Sequence, residues 1–190
     1  NLAQRYLKRK VVAKSPEQAF ALFLKSAQLG LPVAQYQVGT CYANGTGVQQ
    51  DLTTAFTWYE KAAQNGNSEA QFQMGLIYHR GEVVAEDPHQ PCAWFRKAAE
   101  NGHPAGQNFY GWCLDQGYGT VQDLPQAVSW FEKAAQQGNT AAQRRLSTLY
   151  HDGKGVPKDP EISNFWICKA AEAGDPDAQN TLAIRYDEGD

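Results

Sequence analysis

The sequence predicts an all-α fold, a right-handed α-solenoid of 36-residue helix-turn-helix repeats, and three observations predict it. Trp58, Trp94, Trp130 and Trp166 fall in one register at steps of 36. Lys25, Lys61, Lys97, Lys133 and Lys169 keep the same step, as do Gln35, Gln71, Gln107, Gln143 and Gln179. Glycines recur twice per period, at Gly30, Gly66, Gly102, Gly138 and Gly174 and again at Gly45, Gly81, Gly117, Gly153 and Gly189, with no gap from Tyr6 to Gly189. A fixed period of this length marks stacked supersecondary units.

Each period reads as two short helices. Helix A starts at Pro32, at Asn67 or Ser68, at Pro104 and at Pro176, since proline suits a helix's first turn. It stops at the second glycine series, where the chain can turn left-handed. Helix B starts at Asp51, Asp87, Asp123 or Asp159, whose carboxylates can accept the first free amide protons. Ser15-Pro16-Glu17-Gln18 serves as a capping box for the first helix B. The recurrent lysine stands in the last turn of helix B, favoured there by the helix dipole. One unit has too little apolar surface to fold alone, so stacking supplies the core. The expected array is one domain over 1–190: a partial unit 1–30, full units 31–66, 67–102, 103–138 and 139–174, and a terminal helix 175–190 that caps the stack. Ala3 and Tyr6, in register, imply a preceding helix A.

Ala34, Val38-Gly39, Tyr42, Gly45-Thr46-Gly47-Val48, Asp51, Ala55, Trp58-Tyr59 and Lys61-Ala62-Ala63 resemble the Sel-one-like repeat family, a subclass of tetratricopeptide-type helical repeats. The resemblance covers nearly the whole chain. Departures are local: Val83 stands for a loop glycine, Pro91 for a helix B alanine, and Leu114 and Ser147 for a helix A tyrosine and glycine. The resemblance implies a protein-protein interaction scaffold or adaptor that holds a peptide or protein partner in a concave groove. An immunity or inhibitor protein that blocks a toxin or enzyme is the alternative, and a hydrolase a remote one.

By the same resemblance helix A lines the concave surface. The expected partner-binding residues are Tyr36, Phe72, Leu76, His79, Arg80, Trp112, Asp115, Arg144 and His151. Trp112 stands apart because the tryptophan register does not explain it. Exposed aromatic residues rimmed by polar groups mark binding surfaces. The four register tryptophans read instead as core packing.

Other chemistry finds little footing. Seventeen basic against 20 acidic residues give a net charge of −3, unlike a nucleic-acid binder. No apolar stretch approaches the roughly 18 residues that span a bilayer, so no membrane insertion is expected. His79 and His151 share a register position two units apart, too distant for one metal, and no Cys-x-x-Cys occurs. No spacing assembles a nucleophile, base and orienting group. The expectation is therefore no catalytic residue, no metal and no cofactor, in a protein that is monomeric on its own. Cys41, Cys92 and Cys113 read as small buried hydrophobes, with a Cys92–Cys113 bridge between adjacent units left open. The location is open too, with the bacterial periplasm or cell envelope implied if a signal peptide has been removed.

Overall fold

Short helices gain from capping at both ends, and most of these carry a side-chain cap at the N-terminus. The computed structural model describes residues 15–81 and 87–188; the helix expected around Ala3 and Tyr6, the Val83 loop and Gly189 lie outside them. Ten helices run through the described residues, and all regular structure there is helical. They are α1 (Pro16–Gln28), α2 (Pro32–Asn44), α3 (Leu52–Gln64), α4 (Ser68–Arg80), α5 (His89–Glu100), α6 (Pro104–Gln116), α7 (Leu124–Gln136), α8 (Thr140–Asp152), α9 (Pro160–Glu172) and α10 (Pro176–Glu188). Even-numbered helices are the A helices and odd-numbered ones the B helices.

Asp51, Asp123 and Asp159 cap α3, α7 and α9 through their carboxylates, and Ser15 caps α1. Asp87 departs from the expectation. It accepts the His89 amide at 3.0 Å, but the cap residue is Pro88 and α5 starts at His89. Gly45, Gly81, Gly117 and Gly153 close the A helices in the left-handed conformation.

Each helix packs chiefly on its chain neighbours, and α4 also touches α6 across the intervening B helix. The deepest B-helix residue is not the tryptophan but its successor. Tyr59, Phe95, Phe131 and Ile167 are buried, whereas Trp58, Trp130 and Trp166 are half-buried and only Trp94, at 9 % exposure, counts as core. In three units the register lysine lies over the tryptophan ring: Lys61 on Trp58 at 4.7 Å, Lys97 on Trp94 at 4.0 Å and Lys133 on Trp130 at 3.8 Å. A cation over an aromatic face is attracted by its quadrupole, so in these three units the tryptophan turns one face toward the ammonium. In the fourth unit Lys169 lies over Phe165 instead, at 5.8 Å.

The buried ring explains the helix A glycine. A Cβ on Gly39 would come within 2.7 Å of the Tyr59 ring, and one on Gly75 would collide with Phe95. Where the B-helix residue shrinks to Ile167, the glycine is free to become Ser147. Ser147 Oγ then bonds Ser163 Oγ at 3.1 Å.

A polar ladder ties successive units. Each register glutamine donates to a B-helix carbonyl: Gln35 to Ala27, Gln71 to Ala63, Gln107 to Ala99 and Gln143 to Ala135. Its Oε1 accepts from the next B-helix cap: Asn65 to Gln35 at 2.9 Å, Asn101 to Gln71 at 2.8 Å and Gln137 to Gln107 at 2.8 Å. At the fourth rung the cap is Ala173, and Gln143 Oε1 is buried without a partner.

Candidate partner-binding groove

Two clefts open where A helices of successive units flank a B helix. The first, about 300 Å³, lies between α2 and α4 over α3 and is lined by Tyr36, Thr40, Asn44, Phe56, Ile77 and Arg80 among others. Its floor includes Tyr59, whose ring is 5.6 Å from that of Tyr36. Burial pushes the Tyr59 phenol above its ordinary range, partly offset by its hydrogen bond to Thr40.

The second cleft, about 350 Å³, runs across α4, α6 and α8 with Phe131 of α7 beneath. Its walls are His79, Asn108, Phe109, Trp112, Ala141 and Arg145. Trp112 is half-buried, held between two rings. His79 meets it edge-on at 5.7 Å, and Tyr118 lies tilted at 5.1 Å. His79 and Tyr118 also meet edge-on at 5.6 Å, with His79 Nδ1 3.4 Å from the Tyr118 hydroxyl. Large rings fixed this way lose little conformational freedom when a partner docks.

The remaining expected residues scatter. Phe72 stacks on His103 at 4.7 Å and abuts Phe95 and Phe109, so it belongs to the margin of the core, as does Leu76. Tyr36, Phe72 and Trp112 therefore do not line one cleft together. Asp115, at 3 % exposure, is buried and ion-paired with Arg145 of the next A helix. Arg144 faces α10, with Nη1 2.9 Å from Asp177 and Nε 3.2 Å from Asp175. These two charges serve contacts between units rather than the open groove, because α8 brings adjacent arginines to opposite neighbours. His151 is exposed and lines a separate hollow with Lys158, Asn164 and Arg185. Among the described residues no three His, Cys, Asp or Glu side chains converge as a metal site would require.

The Sel1 repeat pattern matches residues 1–31, 32–67, 68–103, 104–139 and 140–175. The chain belongs to the Sel1 repeat family. Among solved structures it is similar to a Sel1 repeat protein from Oxalobacter formigenes, at 31 % identity and a TM-score of 0.82, over 94 % of this chain and 71 % of that one. It is also similar to c5321, a protective antigen of uropathogenic Escherichia coli with an SLR fold, at 34 % identity and a TM-score of 0.84 over 90 % of this chain. The chain spans 36 % of that protein's length. The immunity protein PA5088 from Pseudomonas aeruginosa shares the fold, at 19 % identity and a TM-score of 0.55 over 93 % of this chain and 65 % of that one. No curated protein matches the chain significantly.

Within the Sel1 repeat frame, the cleft residues that sequence reasoning missed have a common origin. Gln73, Phe109 and Arg145 occupy one register position and line the clefts, yet the positions carried over from tetratricopeptide units did not include it. The signal was present: Phe109 is aromatic where the other Sel1 repeats carry Gln37, Gln73 and Arg145. Tyr118 was missed because it lies in the loop after helix A, a position that reaches Trp112 only once the loop folds back.

Proposed function

We propose that this Sel1 repeat protein is an interaction scaffold that seats an apolar side chain of a peptide or protein partner in the cleft beside Trp112. The observation that carries the reading is the three-ring arrangement of Trp112, His79 and Tyr118 on the A-helix side, outside the tryptophan register of the B helices. Next to it, Asn108 and Arg145 offer amide and guanidinium donors. A partner segment with an apolar anchor followed by a carboxylate or carbonyl fits that pairing. Tyr36 and Arg80, one unit pair away, extend the surface for a longer segment.

The test is to recover the partner from the source organism on immobilised protein and then measure direct binding by calorimetry. Trp112→Ala should weaken it about 30-fold or more, since truncating a central aromatic anchor costs about 2 kcal/mol. Unchanged affinity would move the site to another face. An inhibitory role would be recognised in the same experiment by a single dominant partner whose own toxic or enzymatic activity is blocked.

A further inference from the structure

One pair of register positions, on a B helix and the following A helix, recurs in every unit, and its chemistry changes from unit to unit. The pair comprises a B-helix residue and the A-helix residue 21 positions later, and in the fourth unit the Arg185 guanidinium donates to Asn164 Oδ1 at 2.6 Å. In the first unit the same two positions hold Phe56 and Ile77, which pack against one cluster. In the third they hold Val128 and Leu149, again in one cluster. In the second they hold Cys92 and Cys113. These two thiols are free, buried and part of one core cluster. Two units thus fill this pair of positions with hydrocarbon and one with a polar pair, while the second places two oxidisable sulfurs there.

The two sulfurs differ in access. Cys113 has no exposure. Cys92 lines an outward hollow of about 420 Å³ with Arg96, Lys97, Tyr110 and the Gly119–Thr120 loop, wide enough for a small oxidant. We propose that Cys92 and Cys113 form a peroxide-responsive thiol pair that closes to a disulfide, cross-linking α5 of one repeat to α6 of the next.

The electrostatics suit an attacking and a resolving thiol. The hydrogen bond from Cys113 holds the Cys92 thiol below its ordinary range against the cost of burial, with Arg96 adding to the effect. The same hydrogen bond and burial push Cys113 up, so it keeps its proton. A thiolate is the nucleophile in such chemistry. The Cys92 thiolate attacks one oxygen of hydrogen peroxide, the O–O bond breaks, and Cys92 becomes a sulfenic acid as hydroxide leaves and takes a proton. The Cys113 sulfur then attacks the Cys92 sulfur, loses its proton, and displaces the sulfenic oxygen as water. Two thiols lose two electrons and two protons, and one peroxide becomes two waters. Because Trp112 precedes Cys113 on α6, the cross-link would fix the helix that carries the cleft.

Treating the folded protein with hydrogen peroxide, blocking residual thiols with N-ethylmaleimide and mapping peptides by mass spectrometry tests this. The expected product is about 2 Da lighter before blocking, carries a dithiothreitol-reversible link between the peptides of Cys92 and Cys113, and melts at a higher temperature. Cys92→Ala should abolish the link and leave Cys113 unlabelled in the folded state. A stable mass gain of one or more oxygens on Cys92 without the link, a link through Cys41 or Cys168, or oxidation confined to half-buried Cys168 would overturn the proposal. The mapping uses the unaltered chain, so it does not depend on any variant folding.

Discussion

Trp112 and Phe131 lie against the same cleft, yet they answer to different forces. Trp112 is half-buried, leaning on His79 and Tyr118, whereas Phe131 is 1 % exposed beneath Gly111 and in the centre of the largest cluster. Trp112→Ala should therefore preserve helicity and lower the melting temperature only modestly, while weakening partner binding strongly. Phe131→Ala should cost about 3–5 kcal/mol of stability, the usual cost of emptying a buried aromatic site, visible as a lower urea midpoint. Trp130→Ala, at a half-buried ring under Lys133, should likewise cost less than Phe131→Ala. The polar ladder supplies a second test at this scale. Gln143 Oε1 lacks the donor that Asn65, Asn101 or Gln137 gives to the other rungs, because its cap is Ala173. The backbone of Ala173, at φ −74° and ψ 0°, is close to that of Asn65 at −84° and 14°. Ala173→Asn should thus satisfy the orphan oxygen and raise stability by about 1 kcal/mol, and thermal denaturation of the two proteins side by side would detect it.

Among the elements, α10 shows how one helix end can be set by charge. Its cap, Asp175, accepts the Ala178 amide at 2.9 Å and faces Arg144. Burial works to raise the Asp175 pKa, but the Ala178 amide, a Thr140 hydroxyl and Arg144 outweigh it and hold the carboxyl below its ordinary range. A depressed folded-state pKa contributes stability that is complete above the unfolded value, about 3.9 for aspartate. That contribution is lost as pH falls through the lower, folded value. Melting curves between pH 5 and pH 2 should show α10 loosening at the acid end, and Asp175→Asn should flatten that part of the dependence. An unaltered acid limb in the variant would mean the ionised Asp175 carboxylate contributes nothing to stability there.

For the molecule as a whole, stability is carried by contacts between neighbours in the stack. The α10 helix covers Ile167 and Ala170 of α9 with its own Ala178 and supplies both carboxylates to Arg144. Deleting 175–190 should expose that face and lower the stability of α8 and α9 first, as nearest-neighbour coupling requires. Hydrogen exchange followed helix by helix would resolve the gradient: protection should drop at α8 and α9 and persist at α5 and α6. Uniform loss along the array would indicate a single cooperative core instead.

The period, the caps and the family pattern were legible in the sequence because each depends on local chemistry repeated every 36 residues: an aspartate before a helix, a glycine after one, a small residue where helices meet. Repetition also singled out Trp112 by exception. What depends on two elements at once had no such trace. That Lys61, Lys97 and Lys133 lie on the tryptophan faces, and that the next residue takes the core, follows from how the B helix rotates against its neighbours. Asp115 and Arg144 read as groove charges until packing placed one beneath Arg145 and the other against α10. Phe72 and Trp112 occupy different register positions, so their rings face different neighbours, and only the stacked helices decide that Phe72 meets His103 while Trp112 meets Tyr118. A repeat sequence specifies the unit and its caps through local interactions; the burial of each side chain is fixed by the units on either side, which the stack alone brings together.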